Sequence, residues 1–156
     1  MKNLAALATL LLLSTAQAHD DDHAHGTAIG SPGKASHISR TVQVVMTDSM
    51  RFTPARIVVK EGETIRFVVK NAGRLKHEFV LGTAPELAEH AEMMKKFPDM
   101  EHSDPNMVTL AGGKTGEVLW RFSKAGAVAF ACLEAGHYDA GMKGAVNVMA
   151  RQHSEH

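Results

Sequence analysis

Between residues 38 and 150 the chain alternates apolar and polar side chains at a period of two, in short runs separated by Gly, Asn or Pro. Successive side chains of a strand point to opposite faces, so each run is a strand with one buried face. Residues 64–70 (TIRFVVK) put Ile65, Phe67 and Val69 on one face, and residues 76–81 (KHEFVL) put His77, Phe79 and Leu81 on one face. Val118, Trp120 and Phe122 align in 115–122, and Val128, Phe130 and Cys132 align in 127–132. Further runs cover 41–46, 51–60 (broken at Pro54) and 145–149, with turns at Glu61-Gly62-Glu63 and Asn71-Ala72-Gly73. Short strands at this spacing predict an all-β Greek-key sandwich or barrel.

One segment departs from the pattern. Leu87, His90, Ala91, Met94 and Phe97 recur at helical spacing. Thr83 and Glu86 are placed for a capping box, acidic residues come early, Lys95 and Lys96 come late, and Pro98 stops the run. A helix over 84–97 is therefore expected, inserted into the β domain. A Met- and His-rich loop (DMEHSDPNM) follows it, so the insertion spans about residues 83–109.

The ends are different in kind. Residues 1–18 carry one lysine, an apolar run from Leu4 to Leu13 and a small-x-small site at Ala16-Gln17-Ala18, which predicts a signal peptide cleaved after Ala18. The run is too short to span a bilayer, and no later stretch is a candidate span. Residues 19–38, rich in His, Asp, Gly and Ser, read as a flexible tail, residues 39–150 as the folded domain, and 151–156 as a short His-containing tail. The expected location is the periplasm. Without Lys2 the chain has 16 basic and 17 acidic residues, which gives no reason to expect nucleic acid or anionic membrane as a partner. The length suits one domain, expected to be a monomer.

A single cysteine, Cys132, forbids an intramolecular disulfide, and an exported lone thiol must be buried or used. Alternation puts it at the end of a core-facing row, where the chain leaves the sheet. His137 and Met142 follow in the loop CLEAGHYDAGM, and His77 faces inward on an earlier strand. Taken singly, each has an ordinary reading as a small buried hydrophobe, a core histidine or a packing methionine. Together, one thiolate, two imidazoles and one weak thioether form the donor set of a type 1 copper site. The lone cysteine excludes a cysteine-rich zinc site and a dinuclear copper-thiolate site. Ala131 and Leu133 flank it, which excludes the His-Cys-His tripeptide of multicopper oxidases.

These stretches resemble the cupredoxins. RFTPARIVVKEGETIRFVVKNAGRLKHEF is similar to their N-terminal half, with His77 as first histidine ligand, and CLEAGHYDAGM is similar to their ligand loop, carrying Cys132, His137 and Met142. The resemblance covers about residues 40–150 and is nearest to the copper-tolerance cupredoxins of the CopI type. It implies a cupredoxin-like Greek-key sandwich and, in that subgroup, a green, tetragonally distorted centre. Four residues separate Cys132 from His137 and four separate His137 from Met142. Plastocyanin-like carriers have fewer in the first gap, and azurin-like carriers fewer in the second. Glu78 also stands where many cupredoxins have Asn.

Other soft or imidazole donors form candidate accessory copper sites: His19, His23 and His25 in the tail, Met93, Met100, His102 and Met107 in the insertion, and His153 and His156 at the end. Met94 belongs with the helix's apolar stripe. A pure electron carrier needs one centre, whereas a protein that intercepts excess copper has use for several. The expected function is periplasmic copper binding in copper tolerance, with Cu(I)/Cu(II) cycling. The alternative is a soluble electron carrier, and a cuprous oxidase is the weakest reading because no second catalytic cluster or acid–base pair is evident. The expected partners are copper ions and a periplasmic redox or copper-handling protein.

Overall fold

A computed structural model of the chain describes residues 28–152. The expected leader and His19, His23, His25, His153 and His156 lie outside them. In chain order the elements are β1 (Ser31–Pro32), a 3-10 turn (Ala35–His37), β2 (Arg40–Thr47), β3 (Arg51–Thr53), β4 (Arg56–Lys60), β5 (Thr64–Asn71) and β6 (His77–Gly82). Then come α1 (Ala84–Lys96), β7 (Met107–Leu110), β8 (Thr115–Arg121), β9 (Gly126–Ala131) and β10 (Lys143–Met149). The strands form two five-stranded sheets, ordered β1-β8-β5-β2-β3 and β4-β10-β9-β6-β7. Each sheet contains one parallel pair, β2 with β5 and β4 with β10. This is the expected β-sandwich with one inserted helix. No helix among the described residues is long and apolar enough to cross a membrane.

The alternating residues meet between the sheets. Ile65, Phe67, Val69, Phe79, Leu81, Val118, Trp120, Phe122, Phe130, Cys132 and Met142 all belong to one buried cluster. Each such large side chain contributes about 1.5–3 kcal/mol by leaving water. Phe79 packs its ring 5.2 Å from those of both Phe67 and Phe130, and Phe52 stands edge-on to Phe130 at 5.1 Å. This aromatic layer lies two residues from His77 along one strand and two from Cys132 along another.

β6 is buried along its whole length because α1 covers its outer face. Val80, Ala131 and Leu133 point outward and pack with Leu87, Ala91 and Met94 of the helix in a second, smaller core. The helix starts at a complete capping box: the Glu86 backbone N–H donates to Thr83 Oγ1, and the Thr83 N–H donates to the Glu86 carboxylate.

Four expectations change. Residues 28–38 were expected in a flexible tail, yet Ile29 is buried, β1 pairs with β8, and the Trp120 indole N–H donates to the Ile29 carbonyl at 3.2 Å. One apolar anchor and a tryptophan donor hold a segment whose composition looks unstructured. Met107, expected in the Met- and His-rich loop and as an accessory ligand, begins β7 and is buried in the second core opposite Val80. Phe97, expected on the helix's apolar stripe, is the C-cap residue and is 58% exposed, because the helix ends at Lys96 before its side chain can turn inward. The run 51–60 is two strands in two sheets: the break at Pro54 carries the chain from β3, beside β2, to β4, beside β10.

Candidate metal centre

β6 and β9 are antiparallel neighbours, with Val80 opposite Ala131 and Leu81 opposite Phe130. The first residue of β6 and the first residue after β9 therefore lie at the same end of the sandwich. That places His77 beside Cys132, both fully buried. The loop 132–142 then folds back onto them and is closed by its own hydrogen bonds. The Cys132 N–H donates to the Met142 carbonyl at 3.0 Å, the Met142 N–H to the His137 carbonyl at 3.1 Å, and the His137 N–H to the Glu134 carbonyl at 2.9 Å. Gly136 and Gly141, at φ +83° and +93°, supply the two left-handed turns this path needs. Arg51 of β3 clamps the loop from outside, donating to the Ala140 carbonyl at 3.1 Å.

The result is a convergence of donor atoms. One ligand atom each from His77, Cys132 and His137 lies within 4.8 Å of the others, and among the described residues no other three His, Cys, Asp or Glu side chains converge this way. Cys132 Sγ is 3.3 Å from His137 Nδ1 and 3.9 Å from His77 Nδ1. The Met142 side chain is buried in the same core cluster as Cys132. Of the four residues expected as ligands, three thus meet at one point and the fourth closes the loop around them.

The surroundings prepare these donors. His77 Nε2 is 3.0 Å from Asp48 Oδ1, so a proton held on Nε2 leaves the Nδ1 lone pair directed at the sulfur. Asp48 also accepts from the backbone N–H of Arg74 (2.8 Å) and Leu75 (3.2 Å). Those bonds, the Arg74 one foremost and then the His77 ring, hold its carboxyl below the usual value. The Glu78 backbone N–H donates to Cys132 Sγ at 3.3 Å, a bond that favours thiolate. Burial nevertheless pushes the Cys132 thiol up to about 12. Burial, followed by the His77 ring, lowers the pKa of His137, which favours its neutral imidazole with Nδ1 against the Cys132 sulfur. A buried sulfur that cannot ionise alone, faced by two imidazole nitrogens, fits a soft cation that replaces the thiol proton.

Sequence reasoning missed Asp48 and the backbone N–H of Glu78. Asp48 lies in the turn after β2, 29 residues before His77, and nothing local distinguishes it from any turn aspartate. The accessory candidates separate: Met93 and Met100 are each 40% exposed, His102 is half-buried, and Met107 is core.

Comparison with known proteins agrees with this construction. Residues 39–149 match the family described as copper binding proteins, plastocyanin/azurin family. The chain is similar to the copper-resistant cuproprotein CopI of Rubrivivax gelatinosus, 54% identical over 133 residues that cover 84% of this chain and 81% of that protein. It is similar to the protein of the same name from Pseudomonas aeruginosa, 40% identical over 154 residues, covering 80% and 84% respectively. Its fold is similar to the dithionite-reduced auracyanin of Roseiflexus castenholzii, with a TM-score of 0.61 at 20% identity over 71% of this chain and 98% of that one. The chain belongs to the plastocyanin/azurin family of copper-binding proteins, as a cupredoxin of the CopI type.

Proposed function

We propose that the chain binds copper through His77, Cys132, His137 and Met142 as a type 1 centre and acts in periplasmic copper tolerance. The observation that carries this reading is the meeting of Cys132 Sγ with Nδ1 of His77 and of His137 at two strand ends. The names of the CopI relatives support the tolerance role. Copper held there supplies a one-electron Cu(I)/Cu(II) couple. On binding, Cys132 would release its thiol proton to solvent, and the Glu78 N–H would hold the anionic sulfur. Asp48 keeps the His77 ring oriented, and the closed loop and aromatic layer resist movement of the donors. A frame that changes little between oxidation states suits Cu(I)/Cu(II) cycling.

One observation favours a carrier role alongside binding. His137 is half-buried while His77 is fully buried, so His137 is the side of the centre that a redox partner can approach.

The test is optical. Cu(II) added to the purified protein lacking the leader should produce an intense thiolate-to-copper band, and Cys132→Ser should abolish it. A wild-type protein that stays colourless would overturn the ligand assignment. Deletion of the gene should make cells copper-sensitive with respiration intact; impaired respiration without copper sensitivity would favour the carrier.

A further inference from the structure

The described residues contain four buried side-chain nitrogen or oxygen atoms without a hydrogen-bond partner: His90 Nε2, both ring nitrogens of His102, and Glu78 Oε2. A buried polar atom left unpaired forfeits its hydration without replacement, so four on three residues require an explanation. They belong together. The rings of His90, on α1, and His102, in the loop from α1 to β7, face each other with centroids 4.5 Å apart and planes tilted by 37°. The imidazole pair of the centre described above is alike, at 5.0 Å and 51°. Glu78 points away from its neighbour His77, to the side of the sheet that α1 covers, where its other oxygen accepts from Thr109 Oγ1 at 3.1 Å.

A structural role for the pair is hard to sustain. Core histidines normally pair at least one nitrogen, and a neutral ring carries both a donor and an acceptor. Here His102 uses neither. The rings stack without a hydrogen bond between them. What the arrangement offers is two imidazole lone pairs, shielded from water, with negative charge nearby. The Glu78 carboxyl is within electrostatic reach of His102, and the Asp104 carboxylate is within reach of His90. Met94 follows one turn after His90 on the buried stripe of α1.

We propose that His90 and His102 form a second copper site, which holds Cu(I) between α1 and the loop that follows it. Imidazole is a good copper ligand, and Cu(I) accepts two or three ligands in a dry site where Cu(II) requires more. Asp104 lies within electrostatic reach of His90, outside the ligand set. The site lies on the opposite face of β6 from His77 and does not depend on the type 1 assignment. By spacing alone His90 sits on the helix's apolar stripe, and His102 falls with Met93, Met100 and Met107. The fold instead brings His102 to His90.

The experiment is an anaerobic Cu(I) titration of the full chain without its leader, against a competing Cu(I) chelator. It compares wild type with His90→Gln/His102→Gln. The double variant should bind one Cu(I) equivalent fewer. It should keep an undiminished thiolate-to-copper band on Cu(II) loading, which also shows that it folds. Unchanged Cu(I) stoichiometry would overturn the site. Should the double variant lose the band, ring-nitrogen NMR of the unmodified histidines decides: Cu(I) must shift His90 and His102, and their failure to move overturns the proposal. Cys132→Ser separates this proposal from the preceding one, since it should lose the band while Cu(I) still shifts both rings.

Discussion

Asp48→Ala tests how the centre is built. The Asp48 carboxylate accepts three hydrogen bonds, from Arg74 N–H, Leu75 N–H and His77 Nε2–H. It could be a clamp for the 73–75 turn, or it could orient a metal ligand. The packing is tight: a Cβ on Gly73 would lie 1.9 Å from Asp48 Oδ1. Removing an outer carboxylate from a metal-ligating histidine costs about 10–100-fold in affinity. The Asp48 side chain is 37% exposed, so water can enter and take over part of its role at Nε2. The expected loss therefore lies at the low end, about tenfold in copper affinity. Chelator competition on purified protein reads this, and thermal melts of the copper-free protein read the clamp. The orienting role requires that affinity fall in addition to any change in melting temperature. Affinity within about twofold of wild type, with a lowered melting temperature, would reduce Asp48 to a turn clamp and refute the reasoning.

Three further outcomes follow from the packing and burial. Phe79→Ala removes a ring in contact with three other phenylalanines and should cost about 3–5 kcal/mol in urea unfolding; a loss below about 1 kcal/mol would mean the aromatic layer does not brace the ligand strands. Gly30→Ala should destabilise by more than about 1 kcal/mol and raise amide exchange over residues 29–33, because φ is +129° and the new Cβ would meet the Arg121 carbonyl oxygen at 2.1 Å; unaltered exchange there would show the segment to be loosely held. Glu78→Gln bears on pH. Burial, then Glu134, raises the Glu78 carboxyl above its ordinary 4.5. The folded chain therefore keeps this proton to higher pH than the unfolded chain, and this residue's contribution to stability falls as pH rises past the unfolded value. The variant has no such slope, so in copper-free melts its stability relative to wild type should grow as pH rises above the ordinary 4.5; a constant difference would contradict the assignment.

What could be read without coordinates was what depends on near neighbours along the chain. The period-two rows gave the two facing sheets, and they put His77 and Cys132 inward because a strand's geometry dictates which residues share a face. The capping box, the charge order and Pro98 located the helix to within a residue, since a cap uses atoms only three residues apart. The loop that carries Cys132 and His137 was legible because the two lie in one short segment. Other features depend on partners far along the chain. Trp120 recruits Ile29 from 91 positions away and turns an apparent tail into an edge strand. Asp48 reaches His77 across a turn, and Met107 enters the core because β7 finds an open edge beside β6. His90 meets His102 because the loop after α1 folds back over the helix. Local sequence determines which face a side chain takes on its own strand or helix. Only chain closure in three dimensions decides which distant groups share a face, and so where a second metal could sit.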